Sequence, residues 1–216
     1  MTLLIEHLGD RELEAWEVHA MRSIWDCHYE HVHDHHTNED GIMTPSMATR
    51  INLPAKLTTD HEGLVARMEV LKVIVSSLTN AAQLDLAWSE YQMYMLPHLF
   101  EEEQISLPLL RAFFTPAEAG AIVGKILGAG KPAVLGSFFY WFGSADPNAA
   151  DTASVTDASI KAATTAFMAQ EGIPWFVWHI EFKGYIQAYR DAMVINAAAL
   201  FRGVPPSTQA PWFGCC

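Results

Sequence analysis

A long stretch without helix-breaking residues, from Asp10 to Asp40, constrains the fold of this chain most strongly. Neither glycine nor proline interrupts it, and six of the ten histidines of the chain lie within it. Such a stretch favours one long helix, which we expect to begin near Arg11 and to end before Gly41 and Pro45. Because histidine is a common metal ligand, a helix that carries so many of them predicts a metal site.

Helical patterns continue through the rest of the chain, and runs of alternating β-branched residues are missing, so we predict an all-α fold. The later helices are expected over about residues 60–77, 81–106, 157–170 and 174–202. Pro97 lies inside the second of these and should bend it. The sequence from Thr115 to Glu118 has the form of a capping box with proline at the first helical position, which predicts the start of another helix.

The domain organisation follows from a shift in composition. Beyond Gly128 the chain becomes rich in glycine, alanine and aromatic residues, and residues 144–156 are expected to form a polar loop. We therefore predict an up-and-down helical bundle over residues 1–113. A C-terminal helical extension, residues 114–216, should pack on that bundle.

Charge and cysteine content narrow the classes of partner and compartment. The formal net charge of −12 disfavours nucleic acid and anionic membrane surfaces, because both would repel the chain. No apolar run approaches the roughly 20 residues that a membrane-spanning helix needs. The three cysteines give neither a disulfide framework nor a zinc knuckle, so we expect a reducing compartment, the cytoplasm.

A repeated motif carries the candidate ligands. A histidine, three spacers, two carboxylates, four spacers and a proline occur in the same register over residues 35–45 and 98–108. In each copy the histidine and the first carboxylate, His35 with Glu39 and His98 with Glu102, are neighbours on one helical face. His61 lies between the copies, near the start of its predicted helix. Imidazole and carboxylate together favour iron, manganese or zinc over calcium or magnesium.

These residues resemble the hemerythrin-like, or HHE cation-binding, four-helix bundle family. The resemblance covers roughly residues 11–113 and implies an up-and-down bundle around a di-iron centre, held by five histidines and two carboxylates. It also implies one open coordination position for O2 or another diatomic molecule. By position, the implied ligands of this chain are His35, Glu39, His61, and His98 with either Glu102 or Glu103.

The first helix departs from that family's pattern. In the family it contributes a histidine, whereas only His7 precedes the long helix here, so we expect an abbreviated first helix. His31, one turn before His35 on the same stripe, is the candidate replacement ligand. His33 and His36 are expected to point away from that stripe, to the surface.

Three hypotheses about function follow. The leading one is a non-haem iron protein that binds O2 or another diatomic molecule, or that senses or stores iron, with manganese or zinc as alternative metals. The second is a metal-free helical interaction module that has lost its metal site and forms homo-oligomers through the aromatic patch at residues 175–178. A metalloenzyme is less favoured than either, because the sequence identifies no substrate.

Overall fold

The computed structural model describes residues 1–144 and 155–206, and every regular element in these ranges is helical. This confirms the predicted all-α fold. The helices of the first half are α1 (Thr2–Leu8), α2 (Ala15–Asn38), α3 (Thr44–Ala48), α4 (Ala55–Ser76) and α5 (Asp85–Phe113). None of the described helices is long and apolar enough to cross a membrane.

The second half is also helical. Its helices are α6 (Pro116–Ala129), α7 (Pro132–Phe142), α8 (Asp157–Gln170), α9 (Lys183–Tyr189) and α10 (Ile195–Arg202). The capping box predicted at Thr115 is confirmed, because its side chain accepts a hydrogen bond from the backbone N–H of Glu118 at 3.3 Å. The last helix ends at Arg202, the predicted end, and Gly203 follows it in the left-handed conformation. Most of the predicted loop, residues 144–156, lies outside the described residues.

The long helix predicted from the glycine- and proline-free stretch is present, but its start and the chain that follows it differ from the prediction. α2 begins at Ala15 rather than near Arg11. At its other end α2 stops at Asn38, before Gly41 and Pro45 as predicted, but the chain stays helical through a π-helical turn, Glu39–Met43, into α3, which was not predicted. The wide π turn and the position of the proline in the first turn of α3 accommodate its missing N–H group.

Helices α4 and α5 are both longer than predicted. α4 begins at Ala55 rather than near residue 60. α5 continues past residue 106 and contains Pro108 as well as Pro97. Each proline removes a helical hydrogen bond, and the packing of a long helix against its neighbours offsets that loss.

The buried apolar side chains form two cores. The first, which we call the bundle core, lies mainly between α1, α2, α4 and α5, and it includes Met21, Trp25, Leu64, Met68, Leu71, Trp88, Tyr91 and Leu200. The second, the aromatic core, lies mainly between α7, α8 and α9, and it includes Cys27, Phe139, Tyr140, Ile160, Met168, Phe182, Ile186 and Tyr189. Because Leu200 of α10 packs in the bundle core and Cys27 of α2 in the aromatic core, each core takes residues from both halves of the chain.

The closest helix contact in the aromatic core is between α7 and α9, at Gly136. A Cβ atom at this position would lie 1.9 Å from the backbone oxygen of Tyr185, so no other residue fits without moving a helix. Close approach of these helices lets the large aromatic side chains around them fill the remaining space.

Candidate metal centre

Helical segments from three parts of the sequence bring histidine and glutamate side chains together inside the bundle. The residues are His35, His36 and Glu39 from α2 and its π turn, His61 from α4, and His98 and Glu102 from α5. We call them the histidine–carboxylate cluster. Within it, three overlapping groups have ligand atoms within 4.8 Å of one another: His36, His61 and His98; His35, His36 and Glu39; and Glu39, His61 and Glu102.

Glu102 lies at the centre of the cluster. Its Oε1 atom is 2.9 Å from His98 Nε2 and 3.2 Å from His61 Nε2, and its Oε2 atom is 3.7 Å from His35 Nε2. Burial alone would raise the pKa of this carboxyl, but its contacts with the three imidazoles outweigh burial and hold the pKa well below its ordinary value. Glu102 is therefore a carboxylate at neutral pH.

Glu39 is the second carboxyl group of the cluster. Its Oε2 atom lies 3.4 Å from His35 Nε2 and 3.5 Å from His61 Nε2. Burial raises the pKa of Glu39 to about 7, and the neighbouring negative charge of Glu102 also raises it. Two buried carboxyl groups this close favour a cation between them, because a cation allows both to ionise.

Two further carboxylates lie behind the imidazole rings and orient them. Both oxygens of Asp40 lie 3.1 Å from His61 Nδ1, and Asp60 Oδ2 lies 3.6 Å from His98 Nδ1. Carboxylates in these positions favour a proton on Nδ1, which leaves Nε2 to face the interior, as is usual behind metal-bound histidines. Burial would lower the pKa of His61, but its contacts with Glu102 and Asp40 raise it to about 9.

His36 is the least expected member of the cluster. Its side chain is buried, with 4% of the residue exposed, and its ring stacks on that of His61 at a centroid distance of 4.2 Å. It also makes an edge contact with the ring of His98 at 5.7 Å. Burial lowers the pKa of His36 to about 3, so the ring is neutral and its nitrogen lone pair is free.

Several buried polar atoms of the cluster make no hydrogen bond of good geometry, although His35, His98 and Glu39 lie near a neighbouring charged group: His35 Nε2, both ring nitrogens of His36, both of His98, and Glu39 Oε2. Native proteins leave few such atoms unpaired, because each costs about 1–3 kcal/mol. Neutral imidazoles beside carboxylates are the donor set of iron, manganese and zinc. The side chains that are present therefore fit a bound metal cation.

A small cavity of about 10 Å³ adjoins the two glutamates of the cluster. Its polar lining includes Glu39, His61, Glu102 and the buried hydroxyl of Ser106, and its apolar lining includes Met43, Leu53 and Leu57. A volume of this size is close to that of one water-sized group. One side of the cluster thus adjoins space for one small group, which apolar side chains also line.

The structure brings together five of the seven residues that the sequence predicts as ligands: His35, Glu39, His61, His98 and Glu102. The other two lie elsewhere. His31 faces α7, where its Nδ1 atom lies 3.0 Å from Ser137 Oγ. Glu103 is exposed on α5, so Glu102 is the glutamate of that pair that faces the cluster. His7 also lies apart, with its ring 5.2 Å from that of Phe201.

The prediction that His36 lies on the surface is wrong, whereas His33 is exposed as predicted. The sequence does contain a signal that His36 and Asp40 lie near the cluster. Their four-residue spacing repeats that of His35 and Glu39 one position later. Adjacent residues lie about 100° apart around a helix, so a wide inward face holds both histidines. Asp60, which sequence analysis did not assign, directly precedes His61.

Comparison with known proteins identifies one family. The model of the family described as Hemerythrin HHE cation binding domain matches residues 1–110, which include every member of the histidine–carboxylate cluster. No curated protein and no solved structure matches the chain significantly.

Proposed function

Since the family model covers residues 1–110, the chain belongs to the hemerythrin HHE cation-binding family, and we propose that it holds a non-haem, dinuclear iron centre that binds O2 or another diatomic molecule. The observation that supports this most is the set of buried, unpartnered imidazole and carboxylate atoms of the cluster. Iron sensing or storage at the same cluster is the alternative use of the metal. Manganese and zinc are alternative occupants, since the same donors suit them.

The residues that would hold the metal are His35, His36, Glu39, His61, His98 and Glu102. Iron bound there would supply a redox-active Lewis acid to a small ligand. Glu39 and Glu102 would balance the charge of the cation, and neutral His36 would contribute a donor without adding charge.

The surrounding residues would orient the ligands and limit access of water. Asp40 would fix the imidazole of His61 from behind through a hydrogen bond, and Asp60 faces the ring of His98 at 3.6 Å. Leu53 and Leu57 line the cavity beside the glutamates, and apolar walls favour a small uncharged ligand over ions. Ser106 Oγ has no hydrogen-bond partner and is available to donate to a ligand in that cavity.

A second function, a helical interaction module, is favoured by one surface feature. Trp175 is 76% exposed and Ile180 is 68% exposed near the start of the last helical segment. Exposed apolar groups of this kind are typical of protein interfaces. Under this alternative the chain forms homo-oligomers and binds no metal.

The organisation and compartment of the protein are part of the proposal. We propose a bundle over residues 1–113 with a helical extension over residues 114–216 packed on it, which the contacts of α7 with α2 support. We also propose a cytoplasmic location, which the free thiol of Cys27 supports, because free cysteines persist in reducing compartments.

The test is metal analysis of the purified protein, followed by anaerobic titration with Fe(II) and visible spectroscopy before and after exposure to O2. The proposal predicts two iron ions per chain and a spectrum that changes with O2. Protein that is correctly folded but binds no stoichiometric metal would contradict it and favour the interaction module.

Neighbouring glutamates provide a matched pair of variants. Glu102→Gln removes the carboxylate at the centre of the cluster and should abolish stoichiometric iron binding. Glu103→Gln makes the same chemical change on the exposed side of α5 and should leave binding unchanged. Equal loss in both variants would contradict the assignment of Glu102.

A further inference from the structure

A second polar contact is buried in the bundle core, outside the histidine–carboxylate cluster. His28 Nε2 of α2 lies 2.9 Å from the hydroxyl oxygen of Tyr91 on α5. Tyr91 is only 1% exposed, and the ring of His28 makes edge contacts with Tyr91 and Trp88. An apolar pair would fill this space equally well, so packing alone does not explain the contact of a buried phenol with a half-buried imidazole.

The pair lies close to the cluster along the bundle. His28 precedes His35 by seven residues on α2, and Tyr91 precedes His98 by seven residues on α5. Seven residues are two helical turns, or about 10 Å along the axis, and residues so spaced share a helical face. Met95 lies between the layers, one turn from each, and its sulfur contacts the Tyr91 hydroxyl.

The environment suits the loss of an electron together with a proton. Burial lowers the pKa of His28 to about 4, so the ring is neutral and can accept a proton. Burial raises the pKa of Tyr91 above its ordinary value, so the phenol does not ionise alone. Imidazole is a stronger proton acceptor than the thioether of Met95, which directs the phenol proton to His28.

We propose that Tyr91 and His28 form a redox-active pair that gives one electron to the metal centre when a peroxide is reduced there. This inference rests on the proposed function. The O–H bond of Tyr91 breaks, and its proton bonds to His28 Nε2. Its electron joins one from a centre in which a single ferrous ion remains beside a ferric ion, and the two electrons break the O–O bond of hydrogen peroxide. The products are two hydroxide ions, a second ferric ion, a neutral phenoxyl radical and imidazolium.

Other tyrosines of the described chain lack this arrangement. The hydroxyl of Tyr29 donates to the carboxylate of Glu69 and lies near the surface. The hydroxyl of Tyr94 donates to Asp60, which already accepts from Lys56. Tyr140 is buried in the aromatic core but contacts no histidine. Burial next to a neutral base therefore distinguishes Tyr91.

The test is electron paramagnetic resonance of iron-loaded protein that is first brought to one ferrous and one ferric ion per chain and then freeze-quenched after one equivalent of hydrogen peroxide, with iron content measured on the same samples. The wild-type protein should give a narrow organic-radical signal whose hyperfine structure collapses when the tyrosines carry ring deuterium. Tyr91→Phe, which removes only the hydroxyl, should lose the signal and keep its iron. Tyr140→Phe is the matched control and should retain both.

His28→Gln tests the proton acceptor. It keeps a hydrogen-bonding group but not the base, so the radical should form more slowly while iron content is unchanged. Bound iron without a radical, or a radical unaffected by ring deuterium or by Tyr91→Phe, would overturn this inference but not the proposed function. Absence of bound iron in the folded protein would overturn the proposed function and this inference with it. If Tyr91→Phe fails to fold, the His28→Gln result decides, because His28 contacts Tyr91 and a radical on another tyrosine would form at an unchanged rate.

Discussion

The bundle core and the aromatic core differ in the polar groups that they bury. Within the bundle, three histidines and a glutamate of the cluster have buried polar atoms without hydrogen-bond partners. In the described part of the C-terminal half, the only such atom belongs to the uncharged hydroxyl of Thr164. Unpaired buried groups lower stability, and their concentration in one core indicates that this core carries the function.

This difference separates stability from metal binding, and the two should respond to different substitutions. Changes in the aromatic core should alter the free energy of unfolding and leave the metal in place. Changes in the histidine–carboxylate cluster should alter metal binding and leave stability similar, or even raise it.

The largest effect on stability is expected from Phe139→Ala in the aromatic core. Phe139 is 1% exposed and its ring contacts those of Phe182, Phe167 and Phe142. Its truncation should lower the free energy of unfolding by about 3–5 kcal/mol through lost burial and a cavity. Chemical denaturation measures this, and metal content per folded chain should not change. Loss of the metal would show that the cores are not separable.

Asp40→Asn tests the support of the cluster from behind. The substitution keeps the size of the side chain but removes the charge that faces His61 Nδ1. Metal affinity should fall by about 10–100-fold, near the lower limit because Asp40 is partly exposed. Competition with a chelator measures the affinity. Asp26→Asn, at an exposed position on α2, is the control and should bind metal like the wild type.

His36→Leu should have opposite effects on the two properties. It removes both unpartnered ring nitrogens, so the metal-free protein should gain about 1–2 kcal/mol of unfolding free energy. Metal binding should weaken at the same time. His33→Leu, at an exposed position of the same helix, should change neither property appreciably. A destabilised His36→Leu protein would contradict the claim that this imidazole is unsatisfied without metal.

The pH dependence of the metal-free protein should show a smaller effect. The pKa of His61 is raised from its ordinary value of 6.5 to about 9, so the folded state binds its proton more tightly than the unfolded state. This stabilisation is complete below pH 6.5 and is lost as the pH rises to about 9. Unfolding free energy should therefore fall by up to about 1 kcal/mol per pH unit over this range.

A metal-free His61→Gln protein isolates that contribution. The lowered pKa of the Met1 amino group acts in the opposite direction near pH 8, so the comparison must be with the variant. Denaturation curves between pH 7 and 9 should be flatter for His61→Gln than for the wild type. Identical slopes would show that His61 is not protonated in the metal-free fold.

Sequence patterns predicted much of the fold because the signals were local. The capping box at Thr115 and the glycine- and proline-free stretch from Asp10 to Asp40 each act through neighbouring residues. The π turn after α2 was not predictable in this way. It depends on packing at the end of the bundle, and the local signals of Gly41 and Pro45 favour a helix end instead.

Part of the candidate site was also predictable from local spacing, and part was not. The four-residue spacing brings His98 and Glu102 to one face, and the structure places both in the cluster. Spacing alone could not distinguish Glu102 from Glu103, nor His36 from a surface histidine, because the width of the buried face depends on how α2, α4 and α5 pack. His31 shares the stripe of His35, yet its ring contacts Ser137 of α7 and not the cluster.

The most direct test of the central claim is an anomalous-difference map from crystals of the iron-loaded protein. If the cluster is a metal centre, the map should show anomalous peaks inside the bundle, between the Nε2 atoms of His61 and His98 and the carboxylate of Glu102. Peaks only at surface sites, or none in well-diffracting crystals grown with iron, would contradict the assignment of the cluster as a metal centre.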